Sequence, residues 1–391
     1  MTQTTNAKTT NVLHLVNGEH RSGAERIQES LLQGLDRRRF TPYGLALMEG
    51  EFVRRAREVQ LPMDVLPMRH RLDASIVPKL VRRMRELEID LVHTHTVRTN
   101  LVGRLAARWD GRPVITHVHS PTWCETGNSI KDNVNHMLDR ATRQWSSCHL
   151  CVSESLRDRL IADRVAPERL IVVHNGIEID LTQPDPQAKA RARECLCRQL
   201  GVDSSKQLIT TTALFRSRKG TDRFVEMIDL LVQRGFDVCG VLIGPFESET
   251  YRRRIVELAR EHGLWDSGRL VHLGFREDVL ALIAAADAFV LPSLYGEGLP
   301  LVILEAMAVE VPIVSTRVEG VPEAIEHEWS GLLVPPDDPS ALAEAVARLL
   351  ADPAWARALG ERARERVAAS FTAEAMVRRV ERVYDSVLES R

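Results

Sequence analysis

Cysteine, aromatic side chains and long apolar runs are all scarce in this chain of 391 residues. Its 6 cysteines are too few for a disulfide scaffold. Cys148 and Cys151 form a CxxC and Cys195 and Cys197 a CxC, but no second Cys or His pair stands at zinc-ligand spacing, so these thiols read as core residues. No stretch reaches the roughly 18 uninterrupted apolar residues that a membrane-spanning helix needs. The start, MTQTTNAKTTN, lacks the charged-then-apolar pattern of a signal peptide. A reducing, cytoplasmic setting is therefore expected, with peripheral attachment to the inner membrane face left open. Gly18 and Gly23 stand five apart without the third glycine of a GxGxxG, and Ala24 and Glu25 occupy the places where a P-loop needs Lys and Ser or Thr. Dinucleotide oxidoreductases and NTPases are demoted accordingly. No acidic cluster is spaced like a metal site, and neither a metal nor a cofactor is expected.

Charge of one sign is lacking too: 52 Lys and Arg face 54 Asp and Glu, a formal net charge of -2. The halves differ, with 26 basic against 22 acidic residues in 1–180 and 26 against 32 in 181–391. Part of the N-terminal excess lies on Pro78 to Leu87, where Arg82, Arg83 and Arg85 alternate with Leu80, Val81 and Met84. That pattern predicts an amphipathic helix, either a solvated face or a contact for an anionic membrane surface or lipid-linked acceptor. No aromatic-basic interleaving accompanies it, so nucleic acid is not expected as a partner.

What is present is an ordinary globular composition, 44% hydrophobic and 27% charged, in a chain too long for one core. Short β-rich runs alternate with helical patterns from end to end, which predicts an α/β protein with two Rossmann-like, doubly wound domains. The first domain is read as 1–180, with strands NVLHLV at Asn11, YGLALM at Tyr43, IDLVH at Ile89, PVITHV at Pro113, HLCVS at His149 and LIVVH at Leu170. The polar stretch Thr182 to Ala188 reads as the join. The second domain, 181–371, restarts the pattern with strands at Leu208–Leu214, Val238–Ile243, Leu270–Leu273, Ala288–Leu291, Ile313–Ser315 and Leu332–Val334. A last helix, about 372–391, carries Ala375, Met376, Val380, Val383 and Val387 in helical register and needs a surface to cover. Open α/β sheets bind ligands at the carboxyl ends of their strands, so a cleft between two such domains is the expected place for chemistry.

The segment GEGLPLVILEAMA, Gly296 to Ala308, follows a strand and reads as a helix beginning near Leu299, with Pro300 in its first turn. The unpaired N–H groups and positive dipole end of such a helix suit a phosphate. Glu297 precedes the helix and Glu305 lies about five residues inside it, roughly 7–8 Å along the axis at about 1.5 Å per residue. One ligand spans both. A sugar diphosphate nucleoside fits, with sugar near Glu297, diphosphate over Gly298 and Leu299 at the helix start, and ribose hydroxyls accepted by Glu305. In ALFRSRKGTDRF, a strand runs into Arg216, Arg218, Lys219 and Gly220 before a helix starting near Thr221, and these cations are placed to neutralise a departing diphosphate. VNGEHRSGAERIQ brings Gly23 to the start of the first helix, where backbone can approach a phosphate or an acceptor. His119, in VITHVHSP, and His95, in LVHTHT, end two strands at their carboxyl edges, whereas His93 and His117 are read on a buried phase.

The Glu-x7-Glu spacing in its setting, AADAFVLPSLYGEG before it and VPIVSTRVEGVPEAI and GLLVPPDDPSALAEAV after it, resembles the large retaining glycosyltransferase family 4, or group 1, which includes bacterial mannosyltransferases and sucrose synthases. The resemblance implies the two-domain GT-B architecture, with the last helix packed on the first domain, and transfer of a sugar from a nucleotide diphosphate donor to an acceptor hydroxyl, with retention of configuration and no metal. It also implies that Glu297 contacts the donor sugar and Glu305 the ribose, that Lys219 serves the diphosphate, that His119 lines the sugar pocket, and that Asn175-Gly176 forms a turn. The acceptor implied is a glycan, a lipid-linked sugar or a small molecule, in cell-surface polysaccharide or glycolipid assembly. Three departures stand out: Leu214 occupies the family's arginine position, so that Arg216 must substitute; Ser22-Gly23 replaces a double glycine; and Glu319 replaces a glycine. The rival readings are a sugar-nucleotide epimerase of the same architecture and a weakened nucleotide-sugar-binding subunit.

Overall fold

The computed structural model describes residues 9–19, 23–70, 73–121, 129–178 and 186–390. Ser22 and the first half of the expected join, residues 182–185, lie outside the described residues. The chain divides into two compact units, Met1–Gly176 with Ala373–Arg391, and Ile177–Thr372.

The first unit runs β1 (Thr10–Val16), α1 (Gly23–Gly34), β2 (Phe40–Ala46), α2 (Glu51–Glu58), β3 (Met63–Val65), α3 (Ile76–Glu86), β4 (Leu91–Thr94), α4 (Val97–Asp110), β5 (Val114–Val118), α5 (Ser129–Thr142), β6 (Cys148–Cys151), α6 (Glu154–Ala162) and β7 (Leu170–Val172). The second runs α7 (Pro186–Leu200), β8 (Gln207–Thr212), α8 (Thr221–Gln233), β9 (Val238–Ile243), α9 (Glu249–Glu261), β10 (Leu270–Gly274), α10 (Val279–Ala284), β11 (Ala288–Leu291), α11 (Leu301–Ala308), β12 (Ile313–Thr316), α12 (Val321–Ala324), β13 (Leu332–Val334), α13 (Pro339–Ala351) and α14 (Pro353–Ser370). The chain then returns to the first unit as α15 (Ala373–Glu389).

Both sheets are parallel, in the orders β3-β2-β1-β4-β5-β6-β7 and β10-β9-β8-β11-β12-β13. Strands covered on both faces lose the inside-out alternation of a half-exposed sheet. Thus β9 is buried at every position. In the second unit Ile209, Leu242, Val290 and Val314 pack against α8, α13 and α14, while Leu208, Cys239 and Val241 pack against α7 and α10. In the first, Leu13, Leu15 and Val92 pack against α3 and α4. The opposite face of that sheet receives α15, whose Tyr384 is fully buried against His93 and Phe40. Glu381 fastens the helix by accepting from the Asp36 amide at 2.7 Å.

Several expectations move. The second strand starts three residues earlier than Tyr43, and β3, flanked by Pro62 and Pro67, gives no signal in the sequence because three residues carry no periodicity. The strand expected to reach Leu214 ends at Thr212, leaving Leu214 in the following loop at 36% exposure. The helix expected near Leu299 starts at Leu301: Pro300 has extended backbone, φ -71 and ψ 121, and is the residue before the first turn rather than within it. From Pro186 the expected join is already helix α7. The basic segment is α3, with Arg82 3.4 Å from Glu86, Arg85 2.6 Å from Asp110, and Arg83 bound to Asp64 and Glu86. These three arginines are each matched by a carboxylate. Among the described residues no helix is long and apolar enough to cross a membrane. Cys148 and Cys151 are buried free thiols, pushed up to about 12 by burial.

Candidate active site

In the second sheet the chain leaves β8 toward β9 and β10 on one side and returns as β11 on the other, so β8 and β11 flank the point where the winding reverses. Loops at the carboxyl ends of such a pair diverge and leave a crevice between them. The loop after β8 holds Arg216, Arg218 and Lys219; the loop after β11 holds Ser293 and Glu297 and leads into α11. The Leu294 amide donates to the Arg218 carbonyl at 2.8 Å, and the Arg218 guanidinium donates to the Gly296 carbonyl at 2.9 Å, binding the two loops together. Gly220 makes this approach possible. Its φ of 63° is left-handed, and a Cβ there would stand 2.0 Å from the Pro292 carbonyl oxygen.

Glu297, 4% exposed, accepts at one carboxylate oxygen from Lys219 Nζ and from the Ser293 hydroxyl, each at 2.5 Å. Burial by itself would raise its pKa, but the Lys219 ammonium and Arg218 guanidinium outweigh it and hold the carboxyl below its usual range. Lys219 is lowered, chiefly by burial, against the pull of Glu297. The pair is an ionised salt bridge within a crevice that also holds Arg216, whose guanidinium lies 3.5 Å from Glu247. Gly298 and Leu299 are buried between Glu297 and the helix, and Glu305, 2% exposed, is the fifth residue of α11. The structure therefore brings Lys219, Glu297, Gly298 and Leu299 into one locality, with Arg216 on its β8 side and Glu305 one turn into α11.

Two contributors were not identified from sequence. Ser293 carries no pattern signal. Glu319, noted only as a departure from a glycine, accepts at Oε2 from the amides of Gly296 at 2.9 Å and Glu297 at 3.1 Å, with its own φ at 25°. It holds the backbone from which Glu297 projects.

The remaining candidates lie in the first unit. Gly23 is the exposed first residue of α1. His119 follows β5 and donates to or accepts from His95 at 3.4 Å. His93 and His117, read on a buried phase, are buried at 0% and 1% exposure; they share a face with His95 and His119, as residues two apart in a strand do, and the four rings form one connected set of contacts. A small cavity of about 20 Å³ is lined by His95, His117, His119, Asn100 and Ser120, room for about one water rather than a sugar nucleotide.

Residues 193–366 match the family model of glycosyl transferases group 1, and residues 21–181 that of glycosyltransferase family 4. The chain is 31% identical over 303 residues to the alpha-maltose-1-phosphate synthase of Mycolicibacterium smegmatis, covering 72% of this chain and 75% of that one. It is 24% identical over 319 residues to an Escherichia coli UDP-Gal:alpha-D-GlcNAc-diphosphoundecaprenol alpha-1,3-galactosyltransferase, covering 81% and 80%. The crystal structure of Anabaena Alr3699/HepE in complex with UDP-glucose superposes with a TM-score of 0.84 at 22% identity, over 96% of this chain and 99% of that one. That likeness concerns the fold.

Proposed function

The chain belongs to the group 1 glycosyltransferases, and from that premise we propose that it is a retaining, metal-independent hexosyltransferase whose donor site is the crevice between the loops after β8 and β11. The observation that carries the assignment is the buried Lys219–Glu297 pair at the winding reversal of the second sheet. A diphosphate placed over the start of α11 meets the helix dipole, Lys219 and Arg216, which together replace the cation that other nucleotide-sugar enzymes use. Glu305 takes the ribose hydroxyls, and Glu297 takes a sugar hydroxyl on its second oxygen while the first stays bound to Lys219 and Ser293. In the first unit, Gly23 serves the approach of the acceptor or a phosphate and His119 serves the sugar.

Glu297 also bears on the course of the proposed transfer. A carboxylate held low in pKa by an ammonium and a hydroxyl is a weak nucleophile, so Glu297 supports the positive charge developing on the sugar instead of forming a covalent intermediate. The acceptor hydroxyl then attacks C1 on the face from which the diphosphate departs. The C1–O bond to phosphate breaks, the new C1–O bond forms, and the acceptor proton passes to the released phosphate oxygen. Retention follows.

The E. coli relative acts, by its name, on a lipid-diphosphate-linked sugar, and the Staphylococcus aureus CapM, 23% identical over 334 residues, is named for capsular polysaccharide biosynthesis. They support a glycan or lipid-linked acceptor in cell-surface assembly; for the enzyme itself we propose a cytoplasmic place at the inner membrane face. The test is a thermal-shift screen with UDP, GDP and ADP sugars, followed by transfer assays with Lys219→Ala and Glu305→Ala proteins in EDTA. Undiminished turnover by both variants sinks the site; loss of all activity in EDTA sinks metal independence; an inverted anomeric coupling constant in the product sinks retention.

A further inference from the structure

Five histidines crowd one face of the first sheet where its winding reverses, between β1 and β4: His14 on β1, His93 and His95 on β4 and just beyond it, His117 and His119 on β5 and just beyond it. Burial lowers all five, His14 to about 3 and His119 to about 4, so each ring is neutral at pH 7 and has one N–H donor and one bare acceptor nitrogen.

The rings form two rows. His14, His95 and His119 lie edge to edge, with centroids 5.5 and 5.7 Å apart and planes tilted by only 17° and 19°. The facing nitrogens are His14 Nδ1 to His95 Nε2 at 3.3 Å and His95 Nδ1 to His119 Nε2 at 3.4 Å. His93 and His117 stack on this row at 4.3 Å, against His95 and His119 respectively. At the inner end Tyr384 Oη of α15 lies 3.4 Å from His14 Nε2 and 2.6 Å from His93 Nδ1. One chain of contacts thus runs His93, Tyr384, His14, His95, His119. A transition metal would need three nitrogen lone pairs converging on a common point, and two histidine triads are close enough to be considered. In the row, however, the nitrogens aim at one another across near-coplanar rings, which is the geometry of N–H···N bonding.

A chain of groups with one donor and one acceptor each has two self-consistent arrangements. In one, every proton points inward: His119 Nδ1 is bare and His93 Nε2–H is left as a donor. In the other, every proton points outward: His93 Nε2 is bare and His119 Nδ1–H is the terminal donor. Both terminal nitrogens are buried without a partner among the described residues. An orphaned buried N–H costs more than an orphaned acceptor. His93 lies fully buried in the sheet, whereas His119 is only partly buried and lines the small cavity with Asn100 and Ser120. The outward arrangement is therefore the stable one.

We propose that Tyr384, His14 and His95 form a neutral relay that fixes His119 as its Nδ1–H tautomer, so that His119 presents a hydrogen-bond donor to a hydroxyl of the sugar substrate. Tyr384 and His14 are positioning residues in this scheme, acting from α15 and β1 through His95. The hydroxyl as recipient rests on the function proposed above; the tautomer does not.

The experiment is nitrogen NMR of the full chain labelled with ¹⁵N-histidine, at pH 7, with His119 assigned through His119→Asn. Free histidine favours Nε2–H, so the relay predicts the uncommon outcome, a pyrrole-like Nδ1 and a pyridine-like Nε2 at His119. Tyr384→Phe and, as a second break that leaves α15 intact, His14→Phe should each return His119 toward the Nε2–H form. An Nε2–H tautomer in the parent protein, or a tautomer unmoved in both folded variants, overturns the relay. A visible d–d spectrum with stoichiometric Co²⁺ overturns it in favour of a metal site. In transfer assays His119→Asn, whose amide N–H mimics Nδ1–H, should retain at least tenfold more turnover than His119→Gln, which places its amide at the Nε2 position. Equal turnover removes the sugar hydroxyl as recipient while leaving the tautomer result standing. Lys219→Ala, which touches no relay residue, reports separately on the donor site.

Discussion

At Glu297 two influences oppose each other: burial favours the neutral acid, while Lys219 and Arg218 favour the carboxylate and prevail. Removing one partner of such a pair leaves a buried charge unmatched, at a cost of about 3–5 kcal/mol. Lys219→Met is accordingly expected to lower stability in urea by that amount and to cut turnover by about 10²–10³, the loss typical of one electrostatic donor at a developing charge. Replacing both, Lys219→Met with Glu297→Met, should recover most of the stability and none of the activity. Recovery of activity in the double variant would show that the pair is only structural. Ser293 shares the same carboxylate oxygen at 2.5 Å, yet nothing in its immediate sequence marks it. Its role exists only because the loop after β11 folds back on itself.

The elements that carry these residues depend on two unusual backbone positions. Gly220 joins the loop after β8 to α8 with φ 63° and with no room for a Cβ beside Pro292. Gly220→Ala should cost about 1–3 kcal/mol in strain, and because the same contact ties the two loops, donor affinity should fall with it in a calorimetric titration. Glu319, at φ 25°, accepts from two amides of the loop that presents Glu297. Glu319→Ala should lose about 1–3 kcal/mol by leaving those amides without their acceptor, and Glu319→Gln less, because its carbonyl still accepts. Equal denaturation midpoints for parent and Glu319→Ala would remove this role. Helix and strand positions are legible where periodicity is long: β9, β11 and β13 fall where the apolar runs place them, and α8 starts at Thr221, where the sequence puts it. The start of α11 lies two residues beyond the place that a first-turn proline predicts, because Pro300 adopts extended backbone and stands outside the helix.

For the molecule as a whole the histidine face makes a pH prediction. His14, His119 and His149 have folded values of about 3, 4 and 3 against 6.5 for an ordinary imidazole, and burial holds His93, His95 and His117 well below 6.5. As pH falls below 6.5 the unfolded chain takes up these protons first, so their stabilising contribution is complete above 6.5 and drains below it, down to about 3 for His14 and His149 and about 4 for His119. Each contributes up to about 1.4 kcal/mol per pH unit in that window. Urea midpoints followed by tryptophan fluorescence should fall steeply from pH 6.5 to 5, and a flat profile there would mean that the rings are already charged or solvated in the fold.

Sequence by itself determined the class of this protein. Parallel strands buried on both faces read as apolar runs, and a Glu-x7-Glu bracketing a helix start is a local pattern, so two doubly wound sheets and the candidate site proposed for the donor can both be read from neighbours along the chain. The HxH phrases likewise place His93 with His95 and His117 with His119 by the two-residue repeat of a strand, and His93 and His117, read on a buried phase, are buried. Tertiary structure alone decided what those residues touch. Lys219 and Glu297 are 78 residues apart, Gly296 and Glu319 23, and His14 and Tyr384 370. Such contacts are set by strand order and by the return of α15 to the first sheet, and strand order is a property of packing that no local pattern encodes.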